Sequence, residues 1–174
     1  MTCPMVKVIF IDDQYIYKHF PLPKRLDRAS LFSMITMEQA TSIRDLLGDA
    51  LYDDIELKVE QENLSPTEGS LFQMVQYILC LYTVRSASTF MRSAVMKTRN
   101  EEARADQYVL DALAQGIDSK IEYFKTRIIK YIKNDEVLYE MALTSGQSDL
   151  FNAEDEYTGS TVFYPKNPFD KTCE

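Results

Sequence analysis

The chain has 174 residues, of which 45% are hydrophobic and 26% charged, typical of one globular domain with or without an additional arm. Its net charge of −8 disfavours nucleic-acid binding, because a negative surface repels phosphate backbones. Cys3, Cys80 and Cys173 are far apart, which indicates a reduced protein rather than a disulfide framework. Met1 to Ile11 lack the apolar block of a secretion signal, so we expect none there. The longest apolar stretch, Leu71 to Val84, is shorter than the about 20 residues that cross a bilayer. We therefore expect a soluble protein without a membrane partner.

The first third of the chain predicts a strand, a short helical turn and a long helix. β-Branched residues from Val6 to Ile11 favour one short strand, and Asp12 can cap a brief helical turn before two prolines. Apolar residues at approximately helical spacing then predict a helix from Asp27 to Leu47, with Gly48 as its end or a kink. The helical pattern is weak between Glu38 and Ser42.

Two further helices are predicted in the middle of the chain. One runs from Asp49 to about Asn63 with a single apolar face. The order serine, proline and glutamate between Ser65 and Glu68 is typical of a helix start, because the hydroxyl caps the helix, proline suits its first turn and glutamate favours its positive end. The helix that follows, Leu71 to Val84, is apolar on nearly every side, so we expect it to be central. Phe90 to Thr98 is compatible with a strand or with a continuation of this helix.

The last third predicts one long helix and an arm. Apolar residues at helical spacing predict a long helix that begins at Asn100 or Asp106 and ends near Asn134. After Leu143 the sequence loses its periodicity, and residues 135–174 contain nine acidic residues and two lysines. Such a segment cannot fold alone, yet it is rich in aromatic residues, so it resembles an arm that docks on a partner. We therefore divide the chain into a helical domain, residues 1–143, and an acidic, aromatic arm, residues 144–174.

Candidate chemistry is sparse. Four carboxylates share one helical stripe and are compatible with a divalent-metal site, although a solvated helix face is the simpler explanation: Asp49, Asp53, Glu56 and Glu60. The single histidine, His19, has no neighbouring nucleophile or second histidine, which disfavours catalysis. No residue pattern predicts an enzyme or a cofactor.

Charged and aromatic side chains also mark the predicted helices. The end of the long helix carries four basic residues: Lys125, Arg127, Lys130 and Lys133. Their charges either complement the negative helix terminus or contact an acidic arm or a neighbouring subunit. Several tyrosines lie on helices, where core packing with the hydroxyl at the rim explains most of them: Tyr77, Tyr82, Tyr108, Tyr123 and Tyr131.

Two stretches of the sequence, 45–55 and 64–90, resemble a helical family of head-to-tail connector proteins from tailed phages of Bacteroidetes, including crAss-like phages. A turn of that family joins two helices and matches Leu47, Gly48, Leu51 and Tyr52. The helix that follows matches at Leu64, Ser65, Tyr82, Ala87 and Phe90. The ending "YIKND" of the long helix also resembles the family, whereas Met91 to Ala105 departs from it because the usual glycine-bearing loop is absent.

The resemblance implies a mainly α fold: a helical bundle around a central apolar helix, with a short N-terminal strand and an extended C-terminal arm. It implies a virion protein, assembled in the host cytoplasm, that forms a ring below the portal at the head–tail junction. The ring is expected to be dodecameric, to contact the portal or other connector and tail proteins, and to let genomic DNA pass without specific binding. Candidate contacts of the arm are its aromatic residues Tyr157, Phe163, Tyr164 and Phe169. The alternatives are a helical module that binds a host protein and, less favoured, a metal-dependent enzyme.

Overall fold

The computed structural model describes residues 8–20, 22, 27–95, 108 and 115–144, with the backbone alone for 92–95. The described residues are mainly helical, and none of them belongs to a strand. None of their helices combines the length and the apolar character that crossing a membrane requires.

Seven α-helices and one π-helical turn follow each other along the described chain. They are α1 (Asp13–His19), α2 (Arg28–Glu38), the π-turn (Gln39–Ile43), α3 (Arg44–Leu47), α4 (Asp49–Glu60), α5 (Pro66–Val95), α6 (Ile117–Lys133) and α7 (Glu136–Thr144). The predicted helices after Asp12, Asp27, Gly48 and Ser65 are thus confirmed.

Side-chain caps fix the starts of several helices. The carboxylates of Asp12 and Asp27 accept hydrogen bonds from backbone amides three residues on, at 2.7 and 2.8 Å. At the start of α5, Ser65 and Glu68 form a reciprocal capping box: the Ser65 amide donates to Glu68 at 2.9 Å, and the Glu68 amide donates to the Ser65 hydroxyl at 3.3 Å. These contacts satisfy amides that have no partner within their helix.

Helix α5 is the longest helix of the described chain, and many of its side chains are buried. Its 30 residues span about 45 Å and pack against α1, α2, the π-turn and α6. Its fully buried apolar residues include Leu71, Val75, Ile78, Leu79, Cys80, Leu81 and Val84, whereas Phe72, Met74 and Tyr77 are partly buried. The ambiguous segment from Phe90 continues this helix to Val95, and residues 96–98 lie outside the described chain.

The predicted strand from Val6 to Ile11 is not found in its described part. Val8 to Ile11 pairs with no other backbone segment; side chains of the helical core bind it instead. Phe10 and Ile11 are nonetheless buried, at 3% exposure each. The apolar residues of this segment are therefore buried although the segment is irregular and not part of a sheet.

The prediction of one uninterrupted helix ending near Asn134 is wrong. Gln115 and Gly116 form a turn, and Gly116 adopts φ 86°, a left-handed conformation that interrupts an α-helix. The part beyond this turn, Ile117–Lys133, is one helix with the predicted apolar face, and residues 100–107 and 109–114 lie outside the described chain. A short helix that the sequence did not predict, α7, follows at Glu136–Thr144, and its Leu138 and Ala142 are buried. The predicted arm beyond Thr144 lies outside the described residues.

Candidate functional site

The turn that carries the family resemblance is a buried junction between α3 and α4. Gly48 ends α3 and begins α4 with φ 79° and ψ 156°, a region of backbone space that is open almost only to glycine. Leu47, Leu51 and Tyr52 are fully buried around it. The positive φ expected at Gly48 is thus present, and the four matched residues serve a structural role.

Arg44 holds the outer side of this junction. Its two terminal nitrogens form ion pairs with Asp49 and Asp53, each at 2.8 Å, and its guanidinium lies 4.3 Å from the centre of the Tyr52 ring. One arginine thereby connects α3 to the first two turns of α4. Since Arg44 is 20% exposed, this combination of charge pairing and cation–π contact is partly shielded from water.

A fully buried glutamine, Gln39, connects the π-turn to the N-terminal segment and to α4. Its side-chain oxygen accepts from the Phe10 amide at 2.9 Å, and its side-chain nitrogen donates to the Val8 carbonyl at 2.7 Å and to the Tyr52 hydroxyl at 3.0 Å. The Gln39 side chain thus forms the kind of hydrogen bonds with this segment that a neighbouring strand would form in a sheet. Gln39 thereby satisfies the Phe10 amide and the Val8 carbonyl of this irregular segment.

The Tyr52 hydroxyl continues this network towards Glu56. It lies 3.4 Å from Glu56 Oε1, which is also 3.4 Å from the Val8 amide. Burial raises the pKa of Tyr52 to about 12, so the hydroxyl keeps its proton at neutral pH and can donate it in a hydrogen bond. The network thus connects the N-terminal segment, the π-turn and α4 through hydrogen bonds.

The predicted acidic stripe does not form one solvated face. Asp49 and Asp53 are exposed and paired with Arg44, Glu60 is exposed at the end of α4, and Glu56 is buried at 4% exposure. In the part of the chain that the structure describes, no three histidine, cysteine or acidic side chains are placed to hold a metal. The helical spacing predicts that the four carboxylates lie on one side of α4, but it does not predict that Glu56 is buried.

His19 belongs to a chain of aromatic contacts across three helices. Its exposed ring lies 4.6 Å from that of Tyr15 and 5.7 Å from that of Tyr77, and Tyr77 lies 4.7 Å from Phe124 of α6. These contacts are typical of packing between α1, α5 and α6.

The predicted tyrosines fall into two groups. Tyr82 is buried and Tyr77 is half-buried, as core packing requires, and the Tyr131 hydroxyl donates to the Thr67 carbonyl at 3.1 Å. Tyr108 and Tyr123 are exposed instead, at 79% and 44%. Three of the five tyrosines thus pack into or against the core, which confirms the prediction for most of them.

The basic residues of α6 are distributed over two flanks of that helix. On one flank, Lys125 pairs with Glu122 at 3.0 Å, and Asp118 lies 3.6 Å from Arg85 of α5. The other flank carries an exposed row that we call the basic stripe: Lys120, Arg127 and Lys130, with Tyr123 between the first two. None of its three cations pairs with a carboxylate in the described chain.

A cleft of about 510 Å³ opens between the N-terminal segment and α2. Phe32 and Ile35 form part of its wall, and the ion pair between Arg28 and Asp13, at 2.9 Å, lies at its edge. Its apolar wall suits packing of a hydrophobic side chain.

The remaining predicted site residues lie in two places. The second set of residues that resembles the connector family lies between Leu64 and Phe90, at the capped start of α5 and along that helix. Ala87 of this set is buried, whereas Phe90 is 47% exposed. The proposed arm contacts Tyr157, Phe163, Tyr164 and Phe169 lie outside the described residues, as does most of the Met91 to Ala105 region.

Comparison with known proteins places the chain in a family. A model of DUF6712, a family of unknown function, matches residues 43–152. The chain belongs to DUF6712. The match begins at the end of the π-turn, includes the Gly48 junction and the basic stripe, and extends eight residues beyond the end of α7. No curated protein and no solved structure matches the chain.

Two residues with central contacts at the junction, Gln39 and Arg44, are not predicted by the sequence pattern. The signal for Gln39 was the loss of apolar spacing between Glu38 and Ser42, where buried polar groups replace apolar ones. Arg44 precedes Asp49 and Asp53 by five and nine residues in the sequence. These side chains come close in space only because the chain bends at Gly48.

Proposed function

We propose that this DUF6712 protein is a structural subunit of a tailed-phage virion that forms a ring in the head-to-tail connector. The observation that carries the proposal is the match of Leu47, Gly48, Leu51 and Tyr52 to the helix-joining turn of connector proteins. A buried glycine with a positive φ is hard to replace, so this turn is a specific feature of a scaffold rather than a common surface pattern.

The distribution of side chains supports a scaffold role. The Gln39 side chain is bound to Tyr52 and to the N-terminal segment, which suits a rigid subunit. Exposed apolar side chains on several helices offer contact area for neighbouring subunits: Phe32, Met37, Leu57, Phe90, Tyr123 and Val137. A closed ring requires two different faces on each subunit, which a helical body with a long arm can provide.

Quantitative mass spectrometry of purified virions tests the proposal. The chain is expected at a fixed copy number per particle, in the range of the portal protein, and in complexes much larger than a monomer. If the chain is absent from particles and co-purifies with a host protein in infected cells, it is a host-directed binding module and the proposal fails.

A further inference from the structure

We propose that the basic stripe of α6 binds the acidic first part of the same chain's C-terminal arm, residues 149–157. This segment contains Asp149 and the run Glu154, Asp155 and Glu156, followed by Tyr157, and no basic residue. The inference concerns an interaction within one subunit and does not depend on ring assembly.

The position of the stripe on α6 argues for a bound anion. Cations near a helix C-terminus complement the helix dipole, which explains Lys130 and the neighbouring Lys133. Lys120 lies in the first turn instead, where a positive charge is unfavourable, and Arg127 lies in the middle. Neither has a carboxylate three or four residues away along the helix, unlike Lys125 on the other flank.

The geometry of the stripe suits an extended acidic peptide. Lys120 and Lys130 are ten residues apart, which corresponds to about 15 Å along the helix axis. Exposed Tyr123 adds an apolar surface between two cations, against which an aromatic side chain such as Tyr157 can pack. In a protein with a net charge of −8, three neighbouring cations without a carboxylate partner among the described residues are a clear local exception.

The arm starts close enough to reach the stripe in its own subunit. Helix α7 follows α6 after two residues, packs against it and ends at Thr144. Ten residues connect Thr144 to Glu154 and span at most about 35 Å, whereas α6 is about 25 Å long. An acidic segment held so near its site has a high effective concentration, which allows weak exposed ion pairs to act together.

Hydrogen-exchange mass spectrometry of the full chain tests the interaction. Amides of residues 149–157 are expected to exchange slowly at low salt, at a rate independent of protein concentration, and roughly tenfold faster at 1 M NaCl. The triple reversal Lys120→Glu, Arg127→Glu and Lys130→Glu should remove this protection. Adding Glu154→Lys, Asp155→Lys and Glu156→Lys should restore it, whereas Lys18→Glu, at an exposed lysine on α1, should have no effect.

Several outcomes would overturn the proposal. They are fast exchange in the wild-type segment, protection that survives both salt and the triple reversal, no restoration by the combined variant, or protection that grows with protein concentration. If the triple variant fails to fold, the salt dependence of the wild-type chain still decides. Binding of a fluorescent DNA duplex to the stripe, with the arm exchanging fast, would identify nucleic acid as the occupant instead.

Discussion

Gln39 shows how one buried polar side chain can determine the path of a whole segment. It bonds to two backbone groups of the N-terminal segment and to the Tyr52 hydroxyl, and each of these would lack that partner without it. Buried polar groups are costly when unpaired but fix one arrangement when fully paired. The register of Val8 to Ile11 against the helices therefore depends on this residue.

Replacing Gln39 by alanine tests this role. We expect Gln39→Ala to lower the free energy of unfolding by about 1 to 3 kcal/mol, because the Phe10 amide and the Val8 carbonyl lose their hydrogen bonds while buried. Thr41→Ala is the control, since Thr41 is exposed in the same π-turn. Urea unfolding measures both, and equal midpoints for the two variants would show that the network contributes nothing to stability.

Gly48 carries the second prediction at this scale. Gly48→Val should destabilise the protein by about 1 to 3 kcal/mol, because a branched side chain is strained at φ 79° and the site is buried. Gly69→Ala is the matched control: it lies in the first turns of α5, and a Cβ there meets nothing within 4 Å. A melting temperature of Gly48→Val that equals that of the wild type would contradict the strained conformation.

At the scale of elements, local signals predicted the helix starts well. Asp12, Asp27 and the Ser65–Glu68 box act within three residues of their own position, so the sequence pattern alone identifies them. The N-terminal segment and the π-turn depend on partners about 30 or more residues away, through Gln39, Gln76 and Glu56. No local pattern reveals such partners, which is why a strand was predicted where an irregular buried segment lies.

The capping box of α5 gives a prediction that depends on pH. Burial tends to raise the pKa of Glu68, but hydrogen bonds from Lys58, at 2.5 Å, and from Ser65 outweigh it and lower the pKa below its ordinary 4.5. The ionised carboxylate thus stabilises the fold above pH 4.5, and this contribution is lost as the pH falls through the lowered pKa.

Glu68→Gln should therefore cost about 1 kcal/mol at pH 7, and its difference from the wild type should shrink as the pH falls below about 4.5. Glu60→Gln, at an exposed glutamate in the last turn of α4, should change stability little at either pH. Urea titrations at several pH values measure the difference. A cost that stays constant down to pH 3 would show that charge on Glu68 does not matter.

At the scale of the whole molecule, the division into a helical body and an arm makes a testable claim. Among the described residues, the hydrophobic core extends from Phe10 to Ala142, so a chain that ends at Thr144 keeps this part of the core. We expect this truncated chain to stay helical, with a melting temperature close to that of the full chain, and to be absent from virions. Loss of helical circular dichroism on truncation would mean that the arm belongs to the core.

The aromatic end of the arm is expected to behave differently from its acidic beginning. Phe163→Ala with Phe169→Ala should expose the arm beyond Tyr157 to protease in assembled particles at any salt concentration, because buried aromatic contacts resist screening. If high salt alone releases the wild-type arm from particles and the double variant does not, charge rather than aromatic anchoring holds the arm to its neighbour.

A density map of the head–tail junction in an assembled particle tests the central claim most directly. The proposal predicts a closed ring of this chain beneath the portal, with twelve copies around the DNA channel and each arm in contact with a neighbouring subunit or the portal. A junction whose density is fully accounted for by other proteins would contradict the assignment of this chain to the connector.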